Sequence, residues 1–214
     1  ATLNEDLADF WLLSQAIYES RLNDAKGILE KKISSYLLSK EPSSAQNIAY
    51  TRSRLAAVLL QIGQGDRACH ELDRALANLD ESMFYDAAWA YLKAGQNDKA
   101  ASIAEKIHKS SDSFQRGLAK IIDAEIKINS GKNKEAESDL DESIKFFEEA
   151  KSSNDSWKCR YYLGYAYLKK GAYAEAHSEF ELCLKRRGEG FDSGEMEKIA
   201  LVYYYLGQVQ EGLK

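Results

Sequence analysis

Four stretches of the chain carry one alternation of polar and apolar positions around a glycine: IGQGDRACHEL at 62–72, AGQNDKAASIA at 94–104, SGKNKEAESDL at 130–140 and KGAYAEAHSEF at 170–180. Counting each glycine as position 0, alanine stands at +5 (Ala68, Ala100, Ala136, Ala176) and Leu72, Ala104, Leu140 or Phe180 at +9. A spacing of four puts both on one helix face, a turn apart. Upstream, positions −8, −7 and −4 are Leu55, Ala56 and Leu59; Ala87, Ala88 and Tyr91; and Leu163, Gly164 and Tyr167. A small residue between larger ones suits a helix packed closely on its neighbour. The pattern predicts helix, glycine turn, helix. Glycine tolerates the left-handed backbone of a helix end, and Asp66, Asp98 and Asn133 supply polar groups to start the second helix. Neither helix buries its stripe alone, so successive hairpins must stack.

Two further units are partial. SRLNDAKGIL (20–29) places Ala25 and Leu29 on the frame, with Ser20 in the glycine's place. VYYYLGQVQEGLK repeats the Leu-Gly pair as Leu206 and Gly207. The glycines lie 32, 36 and 40 residues apart, so longer helices and turn-rich loops at 40–46, 109–113, 151–156 and 187–195 are expected to absorb the excess. In the fourth unit Asp123 and Lys127 occupy the −8 and −4 positions, with Ile122 and Ile126 one place earlier. That predicts either a rotated helix or an inserted residue before Gly131.

Leu163-Gly164, Tyr167, Gly171, Tyr173, Ala176 and Phe180 together resemble the tetratricopeptide repeat, most specifically over 157–187. The resemblance extends over nearly the whole chain. It implies an all-α, right-handed superhelical solenoid of about eleven antiparallel helices in a single domain, 1–214, with units at about 4–40, 46–80, 82–112, 114–151 and 155–187 and a final helix at 195–212. The absence of an initiator Met and the interruption of the last unit lead us to expect a piece of a longer chain. The block KRRGEGF…VYYYLGQVQEGLK loosely resembles repeat tails of bacterial signalling proteins, Ser/Thr kinases included, which implies a regulatory or sensory module.

Positions −10, −6 and −2 share a first-helix face. They are Ser53, Ala57 and Gln61; Tyr85, Trp89 and Lys93; and Tyr161, Tyr165 and Lys169; Tyr204 and Gln208 match in the final helix. The resemblance makes this face the concave groove in which the family binds peptides. Tyr and Trp suit interface anchors, although the same rings can serve as packing between hairpins. A subclass clamps chaperone carboxyl termini with lysine and asparagine; here Tyr85 and Tyr161 stand where that clamp needs lysine, Trp89 and Tyr165 where it needs asparagine. The clamp is missing.

The composition narrows the alternatives. The apolar share is 44 %, the charged share 29 % and the net charge −5, without the basic footprint of phosphate-backbone binding. No run approaches the 18 apolar residues of a membrane span. ATLNEDLADF at the start is not a signal peptide, and the odd set Cys69, Cys159 and Cys183 favours free thiols in a reducing compartment, hence the cytoplasm. His70, His108 and His177 fall in different hairpins, and the adjacent Cys69-His70 point about 100° apart on a helix, so neither a catalytic nor a metal site is expected. GQGD at 63–66 lacks the residues of a phosphate loop, Glu148-Glu149 read as a solvated face, and Lys185-Arg186-Arg187 complement a helix end. No cofactor, nucleic acid or membrane partner is expected. The expected function is a protein-interaction scaffold holding a partner's peptide or helix; the rival is a regulatory or self-associating segment of a larger signalling enzyme or transcription regulator, dimerising through its terminal repeat. On the groove reading, Trp89→Ala combined with Tyr165→Ala abolishes partner capture while circular dichroism stays helical; undiminished capture contradicts it.

Overall fold

The computed structural model describes residues 11–17, 19–39, 41, 43–192 and 195–214. The opening ATLNEDLADF, including the expected unit start near residue 4, and Pro42 lie outside them. The described residues are all-helical, with no strand among them. A helical run at 11–17 precedes α1 (Leu22–Leu38), α2 (Ser44–Gln61), α3 (Gly65–Ala75), α4 (Phe84–Lys93), α5 (Asn97–Ile107), α6 (Ser113–Asn129), α7 (Asn133–Ser153), α8 (Trp157–Lys170), α9 (Tyr173–Lys185), α10 (Arg187–Asp192) and α11 (Met196–Gly212). The chain forms two compact units, residues 1–103 and 104–214. In the first, α2 packs on α1 and α3; in the second, α7 packs on α6 and α8, and α9 on α8 and α11.

The turns follow from backbone chemistry. Gly63, Gly95, Gly131 and Gly171 have φ of 77°, 75°, 76° and 81°, the left-handed region that a Cβ disfavours. At Gly63 the glycine N–H donates to the Leu60 carbonyl (3.1 Å) and the Gln64 N–H to the Leu59 carbonyl (2.8 Å). That double bond satisfies the last carbonyls of a helix, and it recurs at Gly95, Gly131 and Gly171. The +1 carbonyl then accepts the N–H of the +5 alanine, as in Ala68 to Gln64 (3.0 Å) and Ala176 to Ala172 (3.0 Å). Residue +1 thus closes one helix and opens the next. Asp66, Asp98 and Asn133 are therefore not caps: Gln64, Lys132 and Ala172 precede their helices and accept no side-chain cap bond. Asp66 and Asp98 sit in the first turn, where a negative charge meets the positive end of the helix. Side-chain caps occur in the longer connections, Asp112 accepting from the Phe114 N–H (2.9 Å) and Ser156 from the Cys159 N–H (3.2 Å).

Ser20 makes the same turn without glycine. Its φ is 57°, its N–H donates to Ile17, the Arg21 N–H to Ala16 and the Ala25 N–H to Arg21. Ala25 and Leu29 are buried as the frame requires. Ala56, Ala88, Ala124 and all four +5 alanines are likewise buried. At Gly164 an added Cβ would meet the Phe180 ring at 2.9 Å, so position −7 of α8 receives the +9 side chain of α9 directly.

Two local expectations change. In the fourth unit the helix is neither rotated nor extended by an insertion: Ala124 sits at −7, fully buried against Ala136 and Leu140. Asp123 and Lys127 hold their polar positions because each finds a polar partner, His108 and Asp139 respectively. The segment at 187–195 opens with a helix, α10, rather than a loop. Gly190 lies against the Trp157 ring, where a Cβ would come within 3.0 Å, and the indole Nε1–H donates to the Cys183 carbonyl (2.8 Å). The long glycine spacing before Gly171 comes from the 21 residues of α7.

Ser20→Gly is expected to stabilise the first unit by about 1 kcal/mol by relieving a left-handed Cβ, and Gly171→Ala to destabilise the second by a similar amount. Urea denaturation of each variant tests this; equal midpoints in all three proteins contradict it.

Candidate interaction surface

In three units the first helix is held to its second helix by an ion pair between positions 19 residues apart. Position −11 carries a base and +8 an acid in three units: Arg52 with Glu71, Lys120 with Asp139 (3.3 Å) and Arg160 with Glu179 (2.8 Å). The carboxylates are buried. A second cation joins two of them, Lys127 at Asp139 and Lys151 at Glu179 (3.2 Å). Burial works against the charges of Lys120 and Lys151, yet the facing carboxylates hold both ammoniums above their usual pKa. In the third unit the same positions are Phe84 and Ile103. The frame thus places an ion pair at these positions in three units and two apolar residues in the third. The sequence reading missed it, though the signal, a base and an acid 19 residues apart around each glycine, was present.

Of the predicted groove positions, those of α4 form a short stack. Tyr85 is buried and stacks on the half-buried Trp89 (centroids 5.9 Å apart), and the Lys93 ammonium lies 4.7 Å over the Trp89 ring. Those of α8 stand within the packing of their own unit. Tyr161, 4 % exposed, stacks on Trp157 (5.6 Å) and lies 6.2 Å from Tyr205. Tyr165, 6 % exposed, lies 5.2 Å from Tyr205, and its hydroxyl donates to Glu125 Oε1 (2.7 Å). Lys169 Nζ reaches the same oxygen (2.7 Å) and covers the Tyr165 ring. The −10, −6 and −2 face of α8 is therefore spanned by side chains of α6 and α11. Tyr165→Ala strips the buried Glu125 carboxylate of a donor, so that change perturbs folding as well as any surface.

The α11 positions differ. Val202 and Val209 are fully buried and the Tyr205 ring stacks on Phe180 (5.6 Å). On the other side Tyr204 is 60 % and Tyr203 58 % exposed, Leu201 is exposed, and Gln208 is half-buried. Gly207 lies at the centre of this side, and an added Cβ meets nothing within 4 Å. From Ile199 to Gln210 the helix carries no charged residue. Two exposed tyrosines and an exposed leucine within an uncharged stretch of helix form an apolar patch of the kind that marks interaction sites.

The candidate reactive groups are placed in packing. Burial pushes the Cys159 and Cys183 thiols up to about 11 and about 12, away from the thiolate that nucleophilic chemistry needs. His108 Nε2 lies 2.7 Å from Asp123 Oδ2, a carboxyl whose pKa burial raises despite the imidazole. His70 is exposed. Arg186 is engaged by Asp155 and Glu189. Among the described residues no three His, Cys, Asp or Glu side chains gather to hold a metal ion, and no helix is long and apolar enough to cross a membrane. No family model matches the chain, and a search of curated proteins finds no significant match.

The slot at −11 and +8 makes a clear test. Arg52→Phe alone leaves the Glu71 carboxylate buried without its principal partner and is expected to cost about 3–5 kcal/mol. Adding Glu71→Ile, the combination the third unit uses, is expected to recover most of that loss. Thermal unfolding of the single and double variants measures the difference; a double variant no more stable than the single contradicts the shared slot.

Proposed function

We propose that the chain is an interaction module of the tetratricopeptide-repeat kind, a right-handed solenoid of helical hairpins that holds a peptide or helix of a protein partner. The repeated glycine frame supports the fold part of this reading. The observation that carries the function is the outward side of α11, where Tyr204 and Gln208, two of the expected partner-binding positions, stand exposed or half-buried with Leu201 and Tyr203 in a stretch that is uncharged from Ile199 to Gln210. Tyrosine brings large contact area at small rotamer cost. Within the first unit the Trp89–Lys93 pair of α4, an aromatic ring with a cation above it, is by itself suited to an acidic or polar segment. The groove members Tyr85, Tyr161 and Tyr165 act in this reading as the floor that fixes neighbouring helices.

One observation favours the rival of a self-associating regulatory segment within a larger signalling enzyme or transcription regulator. The stretch from Ile199 to Gln210, which carries no charge, meets a second copy of itself without like-charge repulsion. The two readings part in solution. Panning a random peptide library against the full chain is expected to enrich peptides whose affinity falls at least tenfold with Tyr204→Ala or Trp89→Ala, the chain itself sedimenting as a monomer. Failure to enrich any peptide, or peptides indifferent to both substitutions, contradicts the interaction module; a concentration-dependent dimer that Tyr204→Lys dissociates favours the rival.

A further inference from the structure

Twice in this chain the frame sets an aromatic ring at position −6 under a lysine at −2. In α8 the Lys169 ammonium lies 5.6 Å over the Tyr165 ring, and in α4 the Lys93 ammonium lies 4.7 Å over the Trp89 ring. A spacing of four puts ring and lysine on one helix face, a turn apart. In the second unit this pair is completed by a carboxylate. The Tyr165 hydroxyl and the Lys169 ammonium both donate to Glu125 Oε1, each at 2.7 Å. Glu125 is buried, and it is itself the −6 residue of α6, the preceding first helix.

The α4 pair stands opposite different chemistry. Glu125 precedes Tyr165 by 40 residues, one glycine spacing; the corresponding spacing of 32 before α4 makes Ala57 of α2 the equivalent of Glu125. Helix α2 packs on α4. Ala57 is exposed, as is Gln61 one turn further along, and a methyl group supplies no acceptor. Lys93 is exposed too, and among the described residues no carboxylate lies within ion-pair reach of it. The first unit therefore repeats the ring and the cation but has alanine where the second unit has its acid.

We infer that Trp89 and Lys93 form a seat for an acidic side chain of a partner peptide, laid over Ala57 in the place that Glu125 takes in the second unit. The ammonium supplies the charge, the indole ring steadies the ammonium, and the alanine leaves room for the incoming carboxylate. The seat rests on the interaction-module reading and deepens it by naming the partner's chemistry. Because the lysine is exposed, its attraction is screened by salt and sets a preference rather than the bulk of the affinity.

The chain itself offers one test. Ala57→Glu supplies the carboxylate from within, as Glu125 does, and is expected to raise the urea midpoint above that of Ala57→Gln; adding Lys93→Gln is expected to cancel the gain. The partner is tested with two pools of end-blocked degenerate peptides, uncharged throughout except for a central Glu in one pool and carrying Gln there in the other. On the immobilised full chain at low salt, the Glu pool is expected to be retained at least about threefold better. That preference is expected to vanish in Lys93→Gln and in Ala57→Glu and to persist in Lys31→Gln, which removes an exposed charge from α1. Equal retention of the pools, a preference that survives Lys93→Gln or is lost in Lys31→Gln, or an Ala57→Glu chain no more stable than Ala57→Gln overturns the seat. Library peptides that depend on Tyr204 and show no preference for Glu leave the interaction module standing and remove this seat alone. Retention of neither pool, with no library peptide enriched, removes both.

Discussion

A left-handed residue between two helices is the constraint from which the rest of this molecule follows. With φ near +75° to +81° at Gly63, Gly95, Gly131 and Gly171, the chain reverses in two residues, and the residue after each glycine serves both helices. So short a turn leaves no freedom of register. It fixes position −7 opposite +5 and +9 and position −11 opposite +8, whatever side chains stand there. The small residues at −7 are therefore a consequence of close approach, and the buried ion pairs are one of two chemical solutions to a slot whose dimensions the turn has already set.

That the frame puts buried ion pairs at these positions in three units separates geometry from energy. A buried salt bridge contributes little net stability beyond a well-packed apolar pair, because removing two charges from water costs about what their attraction returns. What matters in Arg52–Glu71, Lys120–Asp139 and Arg160–Glu179 is that both members are present: removing one leaves the other charge buried without its partner, which costs far more than the matched pair returns.

Much of the fold was legible because glycine and alanine report backbone geometry directly. The frame of glycine, +5 and +9 marked the turns, the buried alanines and even Ser20, whose side chain disguises a left-handed position that only its place in the frame reveals. The loops were harder: RGEGFD reads as a break, yet Gly190 allows a short helix to lie on the Trp157 ring, a tertiary contact no local pattern encodes. The groove was legible only as a set of positions. Whether Tyr161 and Tyr165 face outward or inward depends on Tyr205 and Glu125, the two lying 40 residues from Tyr165 on opposite sides of it along the chain, and periodicity within one helix carries no such information. The charged pair at −11 and +8 was visible in principle but lies between helices, where a search along single helices does not look.

The same glycine positions offer the most direct view of the account. In a nuclear Overhauser spectrum of the isotopically labelled chain, the Gly164 Hα protons should show contacts to the Phe180 ring and an upfield ring-current shift, and Gly117 should show the same toward Phe147, whose ring lies 2.8 Å from its Cβ direction. Gly207, where an added Cβ meets nothing within 4 Å, should show neither. Ring contacts at Gly207 in the isolated monomer, or their absence at Gly164, would contradict the register on which the whole description stands.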